Sequence, residues 1–135
     1  MRLFEIGQDI DRIDLDDEDS FAEGYVVNTD QVQIPNWLAK NSYDPKFVNH
    51  IRQYNRVAFF TNMYVADSQR GQGLGNNFVQ QFIDEASTLN ADAIYLSADT
   101  GEIQDSGFDL VKWYENWGWE IIDNSTGYPL MVLIL

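Results

Sequence analysis

The sequence predicts a single mixed α/β domain, and three observations carry that prediction. Two apolar, strand-like runs, "VAFFTNMYV" (57–65) and "AIYLSA" (93–98), bracket a long stretch with helical spacing. The joint between the first run and that stretch is the glycine-rich turn "RGQGLG" (70–75). Two further strand-like runs, "WEIID" (119–123) and "LMVLIL" (130–135), joined by the turn-rich "NSTGYP", close the chain as a pair. The 135 residues, 44% apolar and 14% aromatic, suffice for one sizeable core and are too few for two ordinary domains. The domain is therefore expected to cover residues 1–135, and no repeat, low-complexity segment or interdomain linker interrupts it.

In chain order, "RLFEI" (2–6) reads as a short first strand. The following "DIDRIDLDDEDSFAEG" has seven acidic residues between Asp9 and Asp19 and reads as a solvated loop or helix start. "YVVN" (25–28) is a strand. Two prolines divide "IPNWLAKNSYDPKFVNHIRQYN" (34–55) into two short helices, the second with Phe47, Ile51 and Tyr54 at helical spacing. From Leu74 to Leu89, the residues Leu74, Phe78, Phe82, Ala86 and Leu89 mark one face of a helix. "FDLVKWYENW" (108–117) does the same with Phe108, Val111, Tyr114 and Trp117, and Gly118 is placed to stop it. Trp113, Tyr114, Trp117 and Trp119 read mainly as core, and His50 as a surface or satisfied side chain.

The formal charge of -14, from 8 Lys+Arg against 22 Asp+Glu, argues against a surface that neutralises nucleic-acid phosphates or anionic lipid. Cationic partners fit better, and the acidic run can serve as a wall that attracts an amine. The absence of cysteine removes disulfides and thiolate metal ligands, and no metal site is expected. The opening "MRLFEIGQDIDR" has neither a signal-peptide layout nor a spanning segment, so a cytoplasmic protein without membrane association, monomeric or homodimeric, is the expectation.

A glycine-rich turn that runs into a helix start aims free backbone N–H groups and the positive end of a helix dipole at one spot, which suits a phosphate. Glycine adopts positive φ without penalty and lets an anion approach the backbone closely. Arg70 supplies a charged donor beside it. A Walker loop needs Gly-Lys followed by Ser or Thr, whereas Gly75 is followed by Asn76 and Asn77. The dinucleotide fingerprint needs Gly-x-Gly-x-x-Gly, whereas Gly71, Gly73 and Gly75 alternate. The third candidate, the pyrophosphate loop Arg/Gln-x-x-Gly-x-Gly/Ala of acetyl-coenzyme A binding proteins, is matched by Arg70, Gly73 and Gly75.

Over residues 57–123 the chain resembles the GNAT superfamily of N-acetyltransferases: an apolar strand ending in "MYV", "QRGQGLG" opening a helix, the strand "AIYLSA", and "WYENWGWE", similar to the family's Tyr-Glu-x-x-Gly-Phe segment. The resemblance implies a central, mostly antiparallel twisted sheet flanked by helices. It implies acetyl-CoA as cosubstrate and an amine that attacks the thioester directly. By the same resemblance the backbone of Met63, Tyr64 and Val65 pairs with the pantetheine arm. The N–H groups of Arg70, Gly71, Gln72, Gly73, Leu74 and Gly75 cradle the pyrophosphate, and Tyr114 protonates the departing thiolate.

The chain departs from the family pattern in two places. Seven residues before Tyr114, where many members carry a cofactor-touching asparagine, stands Gly107. The strand "VAFFTNMYV" has no Glu, Asp or His, which leaves the general base unassigned, with Asp99 and Glu102 as candidates. The leading reading is an acetyl-CoA-dependent N-acetyltransferase for a cationic primary amine, of a small molecule or a basic protein segment. The alternatives are a non-catalytic GNAT-fold interaction protein and, last, an acidic mimic of duplex DNA.

Overall fold

The computed structural model describes residues 10–29, 46–98, 110–123 and 129–135. The expected strand at 2–6, the first of the two short helices, Phe108 and most of "NSTGYP" lie outside them. The elements are β1 (Ile10–Asp17), β2 (Ser20–Asn28), α1 (Lys46–Arg52), β3 (Arg56–Tyr64), α2 (Leu74–Thr88), β4 (Ala93–Ser97), α3 (Leu110–Asn116), β5 (Glu120–Asp123) and β6 (Leu130–Ile134). The strands form one sheet in the order β1-β2-β3-β4-β6-β5. Every pairing is antiparallel except β3 with β4, so the sheet is mostly antiparallel, as the resemblance implied.

The acidic stretch is not a loop or helix start but a β-hairpin. Asp17 pairs with Ser20 across the Glu18–Asp19 turn, and Ile10 pairs with Val27 at the far end. Ile13 is 3% exposed and Leu15 packs against the same core, so a period of two runs beneath the acids. Among the described strands β1 is outermost, and at such an edge charge is tolerated and discourages further strand addition. The tight turn holds Glu18 at φ 55. The strand expected at 25–28 is the last part of β2, which begins at Ser20.

Helix α2 presents the expected face: Leu74, Phe78, Phe82 and Ala86 are buried against β1, β2 and β3. The rings of Phe82 and Phe60 stack 4.4 Å apart. Gly24 makes that approach possible, because a Cβ there would stand 2.1 Å from the Phe59 carbonyl oxygen and 2.6 Å from Phe82 Cζ. A second core fills the opposite sheet face, where Ile51 of α1 meets Val27, Val57, Phe59, Tyr95, Leu130 and Val132. His50 is satisfied there, with its Nδ1 2.7 Å from the Tyr95 hydroxyl. Helix α3 stops at Gly118, whose φ of 99 needs glycine. No helix among the described residues is long and apolar enough to cross a membrane.

Candidate active site

Strands β3 and β4 pair only from Val57 to Phe59 and from Ala93 to Tyr95. Beyond those residues the parallel strands part, and a cleft of about 540 Å³ opens between them. Phe60 to Tyr64 line one wall, Leu96 to Ala98 the other, and Phe21, Leu110 and Tyr114 complete it. A bulge in the β2–β3 ladder at Thr61 turns β3 as it leaves β4, and the Thr61 hydroxyl donates to the Glu23 carbonyl at 3.1 Å. Of the residues expected to pair with an extended arm, Met63 and Tyr64 therefore lie on a β3 edge that has no strand partner on the β4 side among the described residues, with Val65 next in the chain.

From Val65 the chain turns through a 3₁₀ segment, Asp67–Gln69, into the glycines. Gln69 N–H donates to the Ala66 carbonyl at 2.8 Å and Arg70 N–H to that of Asp67 at 3.4 Å. The next backbone bond runs from Asn77 N–H to Gly73 O at 3.0 Å. Between them the N–H groups of residues 71 to 76 take no backbone partner among the described residues, and six consecutive donors stand at the start of a 15-residue helix. Gly71 and Gly73 both have φ 78, and a Cβ at either would meet nothing within 4 Å. The turn is thus an open concavity of amides, the geometry of an anion nest. Gly71, Gln72, Gly73, Leu74, Gly75 and Asn76 supply its amides. Arg70 does not contribute its N–H, which the 3₁₀ turn uses. Its guanidinium is tied back as well, to the Val65 carbonyl at 3.1 Å and to Asp67 Oδ1 at 2.8 Å.

A buried hydrogen-bond chain that the sequence does not announce holds this loop. Ala66 N–H donates to Ser20 Oγ at 2.8 Å, the Ser20 hydroxyl donates to Gln69 Oε1, and Gln69 Nε2 donates to the Asp17 carbonyl at 3.1 Å. Ser20 is 1% exposed and Gln69 8%. Every donor runs in one direction, so the bonds polarise one another and fix the glutamine amide. The hairpin turn of β1–β2 is thereby fastened to the loop that precedes the nest.

Tyr114 reaches the same cleft from α3. It is buried between Trp113 and Trp119, with ring centroids at 4.9 and 5.5 Å, and its hydroxyl makes no hydrogen bond to a described residue. Burial pushes the phenol well above its ordinary value, so it stays protonated. Trp113 connects this helix to the nest: its indole N–H donates to Asn76 Oδ1 at 3.1 Å, and its ring would lie 3.9 Å from a Cβ at Gly75. The structure thus brings together the β3 edge, the glycine nest and Tyr114. Asp99, Glu102 and Gly107 lie outside the described residues. Among the described residues no group of three or more His, Asp or Glu could hold a metal ion.

The fold and the sequence both have counterparts. Arylalkylamine N-acetyltransferase 2 from Aedes aegypti is similar over 89% of this chain and 70% of its own, with a TM-score of 0.60 and 8% identity. NAA60 from Arabidopsis thaliana, crystallised with acetyl-CoA, is similar over 86% of this chain with a TM-score of 0.55 and 12% identity. The same enzyme with a bisubstrate analogue gives 85% and a TM-score of 0.55. The chain spans 65% and 63% of the length of those two NAA60 chains. No curated protein matches in sequence. The model of the acetyltransferase (GNAT) family matches residues 36–119. That match runs over more than half of the 135 residues, and the chain belongs to the GNAT acetyltransferase family.

Proposed function

We propose that this protein transfers an acetyl group from acetyl-CoA to a primary amine, of a small molecule or of a protein segment. The observation that carries the reading is the continuity of one path: a strand edge with no strand partner among the described residues lies in a cleft and leads directly into six amide donors that have no backbone partner among them, and a buried phenol lines the same cleft. The residues present fit the cosubstrate. The open space at Gly71 and Gly73 admits a pyrophosphate, and neutral amides at a helix start hold its charge. The edge of Met63 to Val65 would take the amide-bearing arm as a strand takes its neighbour. Acetyl-CoA supplies the activated acetyl group.

In the transfer a C–N bond forms as the C–S bond breaks. The amine gives up one proton to solvent, and the departing sulfur, which leaves as a thiolate, takes one up, so the products are the amide and the free thiol. Tyr114, kept protonated by burial, donates its hydroxyl hydrogen bond to the thiolate charge from a largely desolvated position, where such a bond is stronger than in water. The acidic body, net -14, raises the local concentration of cationic acceptors.

Tyr114→Phe tests the reading, because it keeps the ring and removes the hydroxyl. Thiol release from acetyl-CoA should fall about 10² to 10⁴-fold over a panel of amines, while CoA affinity and melting temperature stay near wild type. Full turnover in the variant would show that the phenol only packs.

A further inference from the structure

The open face of the β2–β3 ribbon, on the side away from α2, carries four side chains in two facing pairs. Phe21 opposes Tyr64 and Glu23 opposes Asn62 in the strand register. The residues between them, Ala22 and Met63, also oppose each other and pack against the α2-side core, so the four point the other way. The Phe21 and Tyr64 rings lie 6.0 Å apart, tilted by 38°, and Tyr64 is 46% exposed despite being a large aromatic residue. In the second pair Asn62 Nδ2 donates to Glu23 Oε1 at 3.3 Å. That bond orients the Asn62 amide and leaves its carbonyl oxygen as an acceptor beside the carboxylate. Phe21, Asn62 and Tyr64 all line the cleft.

Two strand residues advance about 7 Å, so an aromatic step and an anionic, acceptor-rich step stand side by side at the mouth of the cleft. An amine with no ring uses only the second. A primary ammonium joined to an aromatic ring by two carbons uses both, with its N–H groups on Asn62 Oδ1 and Glu23 and its ring against Phe21 and Tyr64. Arg12 is the counterweight: its Nη2 stands 3.9 Å from Glu23 Oε2 and 3.5 Å from Asp14, a loose and exposed arrangement that partly offsets the Glu23 charge.

We propose that this quartet is the acceptor subsite, and that it selects primary amines bearing an aromatic ring two carbons from the nitrogen. The inference rests on the acetyltransferase reading and narrows its substrate class. Free 2-arylethylamines and peptides with N-terminal Phe or Tyr share this unit.

The test uses the full chain and acetyl-CoA with four probes: phenethylamine, the peptide Phe-Gly-Gly, n-butylamine and spermidine. A melt with and without CoA is run first, because it reads the cosubstrate alone. Either phenethylamine or Phe-Gly-Gly should show a KM about tenfold below the n-butylamine value. Whichever ring-bearing probe is preferred names the source. Phe21→Ala should collapse that ratio, Phe21→Leu should do so with a smaller loss of apolar volume, and Arg12→Gln should lower KM for every cationic probe. Equal KM values with and without the ring, or a ratio that survives both Phe21 variants, would overturn the proposal. So would an absence of turnover with every probe while CoA still raises the melting temperature. An unshifted melt would instead overturn the acetyltransferase reading, and this proposal with it.

Discussion

Gly73 offers a direct test of the nest, because its geometry separates backbone conformation from crowding. Its φ is 78 and ψ 11, and a Cβ there would touch nothing within 4 Å. Replacement by valine therefore costs only the left-handed conformation, about 1–2 kcal/mol. For a chain of this size that is a drop of roughly 3–10 °C in melting temperature. If φ relaxes to negative values, the amides after it swing away from their common focus. Losing even one charge-assisted hydrogen bond, worth about 1.5–3 kcal/mol, weakens CoA binding roughly 10- to 150-fold. Gly73→Asn places a similar Cβ in the same space but tolerates the left-handed region, and should keep most of the affinity. Titration calorimetry with CoA on wild type, Gly73→Val and Gly73→Asn reads this directly. Gly73→Val binding CoA within twofold of wild type would refute the nest as the phosphate site. Gly24→Ala is the contrasting control, because its Cβ would collide with the Phe59 carbonyl and Phe82 and the chain should not fold stably.

Two other expectations follow from the same geometry. Ser20→Ala and Gln69→Met keep most of the volume but break the chain from Ala66 to Asp17, so each should lower affinity for CoA about tenfold or more while leaving binding of pantetheine, which has no pyrophosphate, unchanged; equal losses for both ligands would reduce the network to general stability. Burial raises the Tyr114 phenol above its ordinary 10.0, so the unfolded chain releases that proton first; the stability this group contributes is complete below pH 10 and declines above it, by about 1.4 kcal/mol per pH unit, and urea melts at pH 8, 10 and 11 should show a shallower decline in Tyr114→Phe than in wild type.

The parts legible in the sequence are those with local chemical signatures. The steps of four from Leu74 to Ala86 can only line one helical face, and the alternating glycines announce the left-handed conformations found at Gly71 and Gly73. Gly118 likewise announces the end of α3. The β1–β2 hairpin is hidden because its signal rests on few inward residues, chiefly Ile13 and Leu15, among acids that an outermost strand tolerates. Its turn, Glu18–Asp19, also lacks the Asn-Gly chemistry that marks tight hairpins. The support of the nest is illegible for a different reason. Ser20 and Gln69 stand 49 residues apart, and no local pattern links a serine in one strand to a glutamine in a distant turn. Arg70 reads in the sequence as a charged donor for the phosphate, yet folding places Asp67 and the Val65 carbonyl against its guanidinium, which stays exposed.

The early parting of β3 and β4 has a consequence for solubility. A strand whose edge is unpaired invites association with another chain, and proteins usually guard such edges with charge. On the outside of the sheet β1 follows that rule, with five charged residues among its eight. The inner edge left by the parting, Thr61 to Tyr64, carries none. Thr61, Asn62 and Tyr64 are exposed there, and what limits pairing is that β3 and β4 remain joined at their roots, a gap that suits an extended ligand better than a foreign sheet. A bound arm that pairs there would cover the Thr61–Tyr64 edge and remove it as a place for another chain to add.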